Sequence, residues 1–385
     1  MRRPALLVLI LGIFLSAQWA QADWSPPKRL TWTSGVSSSP AIAVDSGDAI
    51  HVVWQEYISD NLEISYKRSG NGGTSWSPNR RLTWTEGWSG GPSIAIDSND
   101  AISIAWEDVV TPGNGEIYFK RSPDGGTTWN PAKRLTWASG YSRSPALAIG
   151  SDDAVHLLWE DDTSGNFEIY YRKTTDGGAT WGATQRLTWN SGSSYSPAMA
   201  IDSSNRIHIV WHDFTPNDFY AEIYYKRSTD GGTTWLPAQR MTWTSGSSLS
   251  PAIAAVSSQT IHVVWDDDTP GNNEVYHKKS TNGGANWSPA KRLSWTSGQS
   301  AYSALVIDST NAVHVIWRDY TPGNYEIYYK SSADGGATWS SAQRLTWTSG
   351  ASMNPAMAID SSDTIHIVWD DNTPGYTEIY YKNGN

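Results

Sequence analysis

From residue 24 onward the chain is built of short apolar runs separated by polar turn clusters. One stretch shows the pattern. Ser250-Pro251-Ala252-Ile253-Ala254 is a first run, and Ile261-His262-Val263-Val264-Trp265-Asp266-Asp267 a second. Glu274-Val275-Tyr276-His277-Lys278-Lys279 is a third, and Trp287 to Trp295 carries a fourth. The runs are rich in β-branched and aromatic residues and stop at Gly, Pro, Asn or Asp, which is the chemistry of strands and turns. No segment sustains a 3.6-residue apolar period, so almost no helix is predicted.

This unit of four strands repeats. Arg-Leu-Thr-Trp and its close variants end at Trp32, Trp84, Trp137, Trp189, Trp243, Trp295 and Trp347, in steps of 52, 53, 52, 54, 52 and 52 residues. A second Trp series closes the Ile-His-Val-like runs, at 54, 106, 159, 211, 265, 317 and 369. A third stands at 24, 76, 129, 181, 235, 287 and 339. Four short antiparallel strands per roughly 50 residues is the signature of a propeller blade. The expected fold is an all-β, seven-bladed β-propeller of four-stranded antiparallel blades.

The ends of the chain predict how the ring closes. The last unit stops at Asn385, before its fourth strand, and residues 24–32 are a fourth strand without its first three. The N-terminal strand should therefore complete the last blade, removing the exposed edges of an open array.

Composition refines the picture. Arg2 and Arg3, an apolar run from Ala5 to Ala17 and the small-x-small site Ala20-Gln21-Ala22 read as a signal peptide over 1–22, with the propeller over 23–385. The expected location is outside the cytoplasm, extracellular or periplasmic, with no membrane span left after cleavage. The mature chain carries 26 Lys plus Arg against 38 Asp plus Glu, a formal charge of −12. Such a surface repels phosphate backbones, so no nucleic-acid partner is expected. There is no Cys, hence no disulfide and no thiolate metal site. Six of the eight His, at 51, 156, 208, 262, 314 and 366, stand three residues before a second-series Trp on separate blades, which predicts structural His rather than one metal cluster.

Between third and fourth strands lies a Gly-rich turn, Ser122-Pro123-Asp124-Gly125-Gly126-Thr127-Thr128-Trp129, with relatives starting at Thr174, Ser228, Ser280 and Ser332. It resembles the Asp-box, or bacterial neuraminidase repeat, of sialidase-like propellers. Asp124, Asp176, Asp230, Asn282 and Asp334 fill the box position, and Asn71 stands there in a sixth copy. The reading is structural: paired Gly allow positive φ, and Asp or Asn accepts backbone N–H bonds in a tight turn.

In sialidases the ligand face lies opposite these boxes, so the resemblance directs attention there. Each second strand ends in Trp-x-carboxylate, at Glu56, Asp108, Asp161, Asp213, Asp267, Asp319 and Asp371. Each third strand opens with Glu63, Glu116, Glu168, Glu222, Glu274, Glu326 or Glu378. With Trp32, Trp84, Trp137, Trp189, Trp243, Trp295 and Trp347 on the neighbouring loops, every blade offers carboxylates and an aromatic, a kit for sugar hydroxyls and an apolar sugar face. Two alternatives stay open. The carboxylates can cap their own hairpin, and the Trp, sharing parity with Leu293 in the fifth unit, can be interblade core. Oxygen-rich loops are open to Ca²⁺ as well, although no Asp-x-Asp-x-Asp-Gly pattern supports it and no cofactor is expected.

Sevenfold repetition supplies the same groups seven times, whereas an enzyme needs unlike groups at one place. Sialidases need three converging Arg and usually an Arg-Ile-Pro segment, which is missing; the few irregular Arg on this face are chiefly Arg143 and Arg318. The expectation is a secreted multivalent, lectin-like binder without catalysis, similar in plan to seven-bladed lectins of the Photorhabdus type. Its partners are glycans or a cell-surface or extracellular protein. A protein-interaction scaffold is the alternative, and a sialidase or other glycoside hydrolase the weaker one.

Overall fold

The computed structural model describes residues 23–385 apart from 112–113 and 215–218. The signal segment 1–22 and most of the irregular loop from Thr215 to Ala221 lie outside the described residues. Seven four-stranded antiparallel sheets make up the fold. In the fifth blade the strands are Ser248–Ala255, Ile261–Asp267, Glu274–Ser280 and Lys291–Arg292, from the axis outward. No helix occurs among the described residues. Outer strands span two residues each, so the chain leaves the ladder before reaching the Trp that follows.

The core lies between blades. Val210, Ile223 and Tyr225 of the fourth blade pack with Ile261, Val263 and Trp265 of the fifth, and the same cluster recurs around the ring. The second-strand Trp are fully buried, each worth on the order of 4–6 kcal/mol gross at about 25 cal/mol per Å². The Trp after each Gly-rich turn packs edge-on against the neighbouring blade, as Trp129 does on Tyr66 with ring centroids 5.3 Å apart. The strand His are structural: His51, His156, His208, His314 and His366 each bond a Tyr hydroxyl at 2.7–2.8 Å.

Closure follows the expected route. Lys28 and Arg29 pair antiparallel with Tyr381 and Tyr380, and Trp24 bridges to Gly384. Across the same junction the Asp48 carboxylate accepts from Ser361 N and Oγ at 2.9 and 2.7 Å.

Candidate functional site

On the turn face, the box residues hold their own loop. The Asp124 carboxylate accepts from Ser122 Oγ, Thr128 N and Thr128 Oγ1 at 2.7–2.9 Å. Asp176, Asp230 and Asp334 repeat the pattern, and Asn282 accepts from Ser280 and Asn286 in the same way. These bonds hold Asp176 and Asp230 below the usual carboxylate range, Asp230 at about 2.

On the opposite face the paired carboxylates turn inward. All fourteen are 0–5 % exposed. In six blades the second-strand Asp accepts from an inner-strand Ser hydroxyl at 2.6–2.8 Å, as Asp267 does from Ser248. Glu56, its counterpart in the first blade, accepts from Ser65 Oγ at 2.5 Å and Asn79 at 2.8 Å. Asp161, Asp267, Asp319 and Asp371 also accept from the N–H of the following Thr at 2.8–3.0 Å. Each third-strand Glu meets the Arg of the outer strand at 2.5–2.9 Å, from Arg81–Glu63 round to Arg29–Glu378. Burial pushes Asp108 and Asp213 up, against the lowering effect of their hydrogen bonds.

The Trp behave differently. Trp32, Trp84, Trp137, Trp189, Trp243, Trp295 and Trp347 are 65–70 % exposed, while Leu293 beside Trp295 is buried. Parity fails because the ladder ends at Arg292, and the next residues no longer alternate faces. Each Trp lies with the Arg three residues before it 5.6–6.0 Å from its ring. In six of the seven stations a Lys of the next blade stands 5.2–5.9 Å from the same ring. The result is a circle of near-identical aromatic and cationic stations at blade junctions.

Nearer the axis the blades stop being alike. Each inner strand carries a bulge whose residue has left-handed φ of 47–56°: Ser39, Gly91, Ser144, Ser196, Ser250, Tyr302 or Asn354. A Pro follows in every blade except the sixth, where Ser303 stands, and the interrupted ladder tolerates its missing N–H. These residues ring an axial cavity of about 390 Å³. Facing each bulge across the hairpin is the residue between second-strand Trp and carboxylate: Gln55, Glu107, Glu160, His212, Asp266, Arg318 and Asp370.

Five of these side chains accept from the bulge N–H of the next blade, at 3.0–3.4 Å: Gln55 from Gly91, Glu107 from Ser144, Glu160 from Ser196, Asp266 from Tyr302 and Asp370 from Ser39. Burial raises Glu107 and Glu160, lifts Asp266 to about 7 and Asp370 to about 6, and lowers His212 to about 4. Asp266 and Asp370, raised toward neutrality beside a neutral His and an Arg, are groups of the kind that acid–base chemistry uses. Of this ring only Arg318 stood out in the sequence, as an irregular Arg; the others occupy the unmatched middle position of Trp-x-carboxylate. Its variation from blade to blade was the available signal. Among the described residues no group of three His, Cys, Asp or Glu side chains is placed to hold a metal ion.

No family model matches the chain. The xyloglucanase Xgh74A of Acetivibrio thermocellus is 26 % identical over 379 residues, covering 87 % of this chain and 42 % of that protein. The chain thus spans less than half the length of the curated relative it matches. Among solved structures, a PL25 polysaccharide lyase, an ulvan lyase, superimposes with a TM-score of 0.67 at 12 % identity, covering 91 % of this chain and 95 % of that one. The Hadza microbial sialidase Hz136 does so with a TM-score of 0.52 at 14 % identity, covering 90 % of this chain and 65 % of its own. The fold is that of the sialidase-like propellers of carbohydrate enzymes. The expectation of a non-enzyme is corrected here. These relatives are a hydrolase, a lyase and a sialidase, and they point to an enzyme. The argument from repetition failed because the blades differ where they converge on the axis.

Proposed function

We propose that this chain is a secreted carbohydrate-active protein that holds a polysaccharide on the face opposite the Gly-rich turns and acts on it at the axial mouth. The observation that carries the reading is the circle of seven Trp, each 65–70 % exposed at an equivalent station. A Trp left in water forgoes most of the roughly 4–6 kcal/mol its burial returns, and seven at one station form a surface made for stacking. Pyranose rings offer apolar faces to such indoles. Repeated weak stations gain avidity on a polymer that repeats its units. This keeps the multivalent, lectin-like component and adds chemistry to it. In the axial ring, Asp266 at about 7 and Asp370 at about 6 are carboxyls raised into the range where glycosidic cleavage needs a proton donor.

The test is binding and turnover on xyloglucan, arabinan, ulvan and sialylated glycans, read by calorimetry and by release of reducing or unsaturated ends. Replacing three adjacent stations, W189A, W243A and W295A, should weaken polysaccharide binding at least about tenfold through lost avidity while the melt is unchanged. Binding undiminished in that triple variant would sink the stacking role. Asp266→Asn should lower turnover on the glycan that binds and spare affinity.

A further inference from the structure

The sixth blade departs from its neighbours at one place. Tyr302 occupies the bulge where the other blades have Ser, Gly or Asn, Ser303 replaces Pro, and Arg318 fills the ring position held elsewhere by an acid, an amide or His. Tyr302 and Ser303 line the axial cavity, and Arg318 stands beside Tyr302 and Tyr325, the residue just before the blade's third strand. The Arg318 guanidinium sits 4.0 Å from the Tyr302 ring centroid and 4.6 Å from that of Tyr325.

What this guanidinium lacks is an anion. By contrast Arg29, Arg81, Arg134, Arg186, Arg240, Arg292, Arg344 and Arg143 each meet a carboxylate at 2.5–3.0 Å, and Arg172 donates to the Leu135 carbonyl. Arg318 has no carboxylate within 4.0 Å among the described residues, and its buried Nε has no hydrogen-bond partner. Arg143 in the third blade is an internal control. It stacks in the same way on Phe167 and Tyr195, at 4.2 and 5.6 Å, but Glu160 neutralises it at 3.0 Å. A guanidinium clamped by aromatics, partly desolvated and unpaired is a costly arrangement that an external anion would satisfy in a forked, charge-assisted geometry.

We propose that Arg318, held by Tyr302 and Tyr325 at the axial mouth, anchors one anionic substituent of a glycan, a carboxylate or a sulfate ester. This rests on the carbohydrate reading above and narrows its substrate class to acidic glycans. The adjoining ring members suit an anion. Asp266 and Asp370, on the blades to either side, are 1–2 % exposed, and burial raises them to about 7 and about 6, which lessens their opposition to an anion as pH falls below those values. Asp370 Oδ2 is buried with no partner, so below about pH 6, where the carboxyl holds its proton, it can donate a hydrogen bond. Against a formal charge of −12 for residues 23–385, an acidic polymer would find this clamped guanidinium by its geometry rather than by long-range attraction.

The experiment has two arms on the mature protein. First, sodium sulfate and glucuronate are titrated separately, at constant ionic strength, while the Arg318 Nε–H resonance is followed by NMR. A saturable shift is expected from at least one of them, absent in Arg318→Gln and weakened in Arg318→Lys, with melts of both variants confirming the fold. Whichever anion gives it tells carboxylate from sulfate. No saturable shift with either anion overturns the inference, whatever glycans bind. Second, calorimetry compares an acidic oligosaccharide carrying that anion with a neutral oligosaccharide of equal length. The acidic one should bind at least tenfold tighter, and Arg318→Gln should remove that preference while leaving neutral binding intact. An equal preference in Arg318→Gln overturns the anchor. A shift with free anion but no binding of any oligosaccharide overturns the proposed function instead and leaves an anion site.

Discussion

Asp266 shows most plainly what a single side chain contributes here. It is 2 % exposed, and burial lifts its carboxyl from the usual range to about 7, against the lowering effects of Tyr302 N–H and Arg318. A raised folded-state value means the protonated form fits the fold, so its contribution is full below about pH 4 and is lost as pH rises through 7. Three units correspond to at most about 4 kcal/mol. Asp266→Asn should therefore melt a few degrees higher than the parent at pH 8 and match it at pH 4, read by calorimetric scans. A parent protein equally stable at both pH values, and unaffected by the change, would contradict the burial account. Asp266 was in plain view as the middle residue of Trp265-Asp266-Asp267. Its neighbour Asp267 carries the weight in the sequence, because Asp267 recurs in register and Asp266 does not. The structure reverses that weight: Asp267 holds its own hairpin, while Asp266 reaches the next blade at the axis.

Among elements, the Gly-rich turn shows why two Gly stand together. Gly125 has φ 62° and open space where a Cβ would go, its nearest atom 4.0 Å away. Gly126 has φ 88°, and a Cβ there would lie 2.0 Å from the Tyr66 hydroxyl of the preceding blade. The first Gly answers to backbone conformation and the second to a neighbour's approach. Gly125→Ala should cost about 1–2 kcal/mol for a left-handed Ala. Gly126→Ala adds overpacking of about 1–3 kcal/mol, and urea unfolding should separate the two variants. Equal costs would mean that Tyr66 can move aside. The turn and its positive φ were legible in Asp-Gly-Gly. The contact with Tyr66 was not, because it joins residues 60 positions apart across a blade junction.

For the whole molecule, closure concentrates in few residues. Removing residues 23–32 takes away the outer strand of the last blade, the buried Leu30 and the Arg29 partner of buried Glu378. An unpaired buried carboxylate and an open edge together warrant a loss of about 10 °C in melting temperature, or aggregation on expression. A truncated chain that melts like the parent would mean the ring holds without its clasp.

Strand identity, blade number, ring closure and the face that carries the Trp were determined by the sequence alone, since a 52-residue period and alternating patterns are properties of the chain itself. Tertiary structure decided which groups face solvent. Fourteen carboxylates with the right chemistry for sugars turned into their own blades, where Ser, Thr and Arg meet them. Seven Trp that parity allowed in the core came out into water, because two-residue outer strands end before reaching them. The unlike residues of the axial ring came together only when the blades closed around the axis. Residues some 52 positions apart meet there through radial packing, and a one-dimensional repeat carries no measure of that distance.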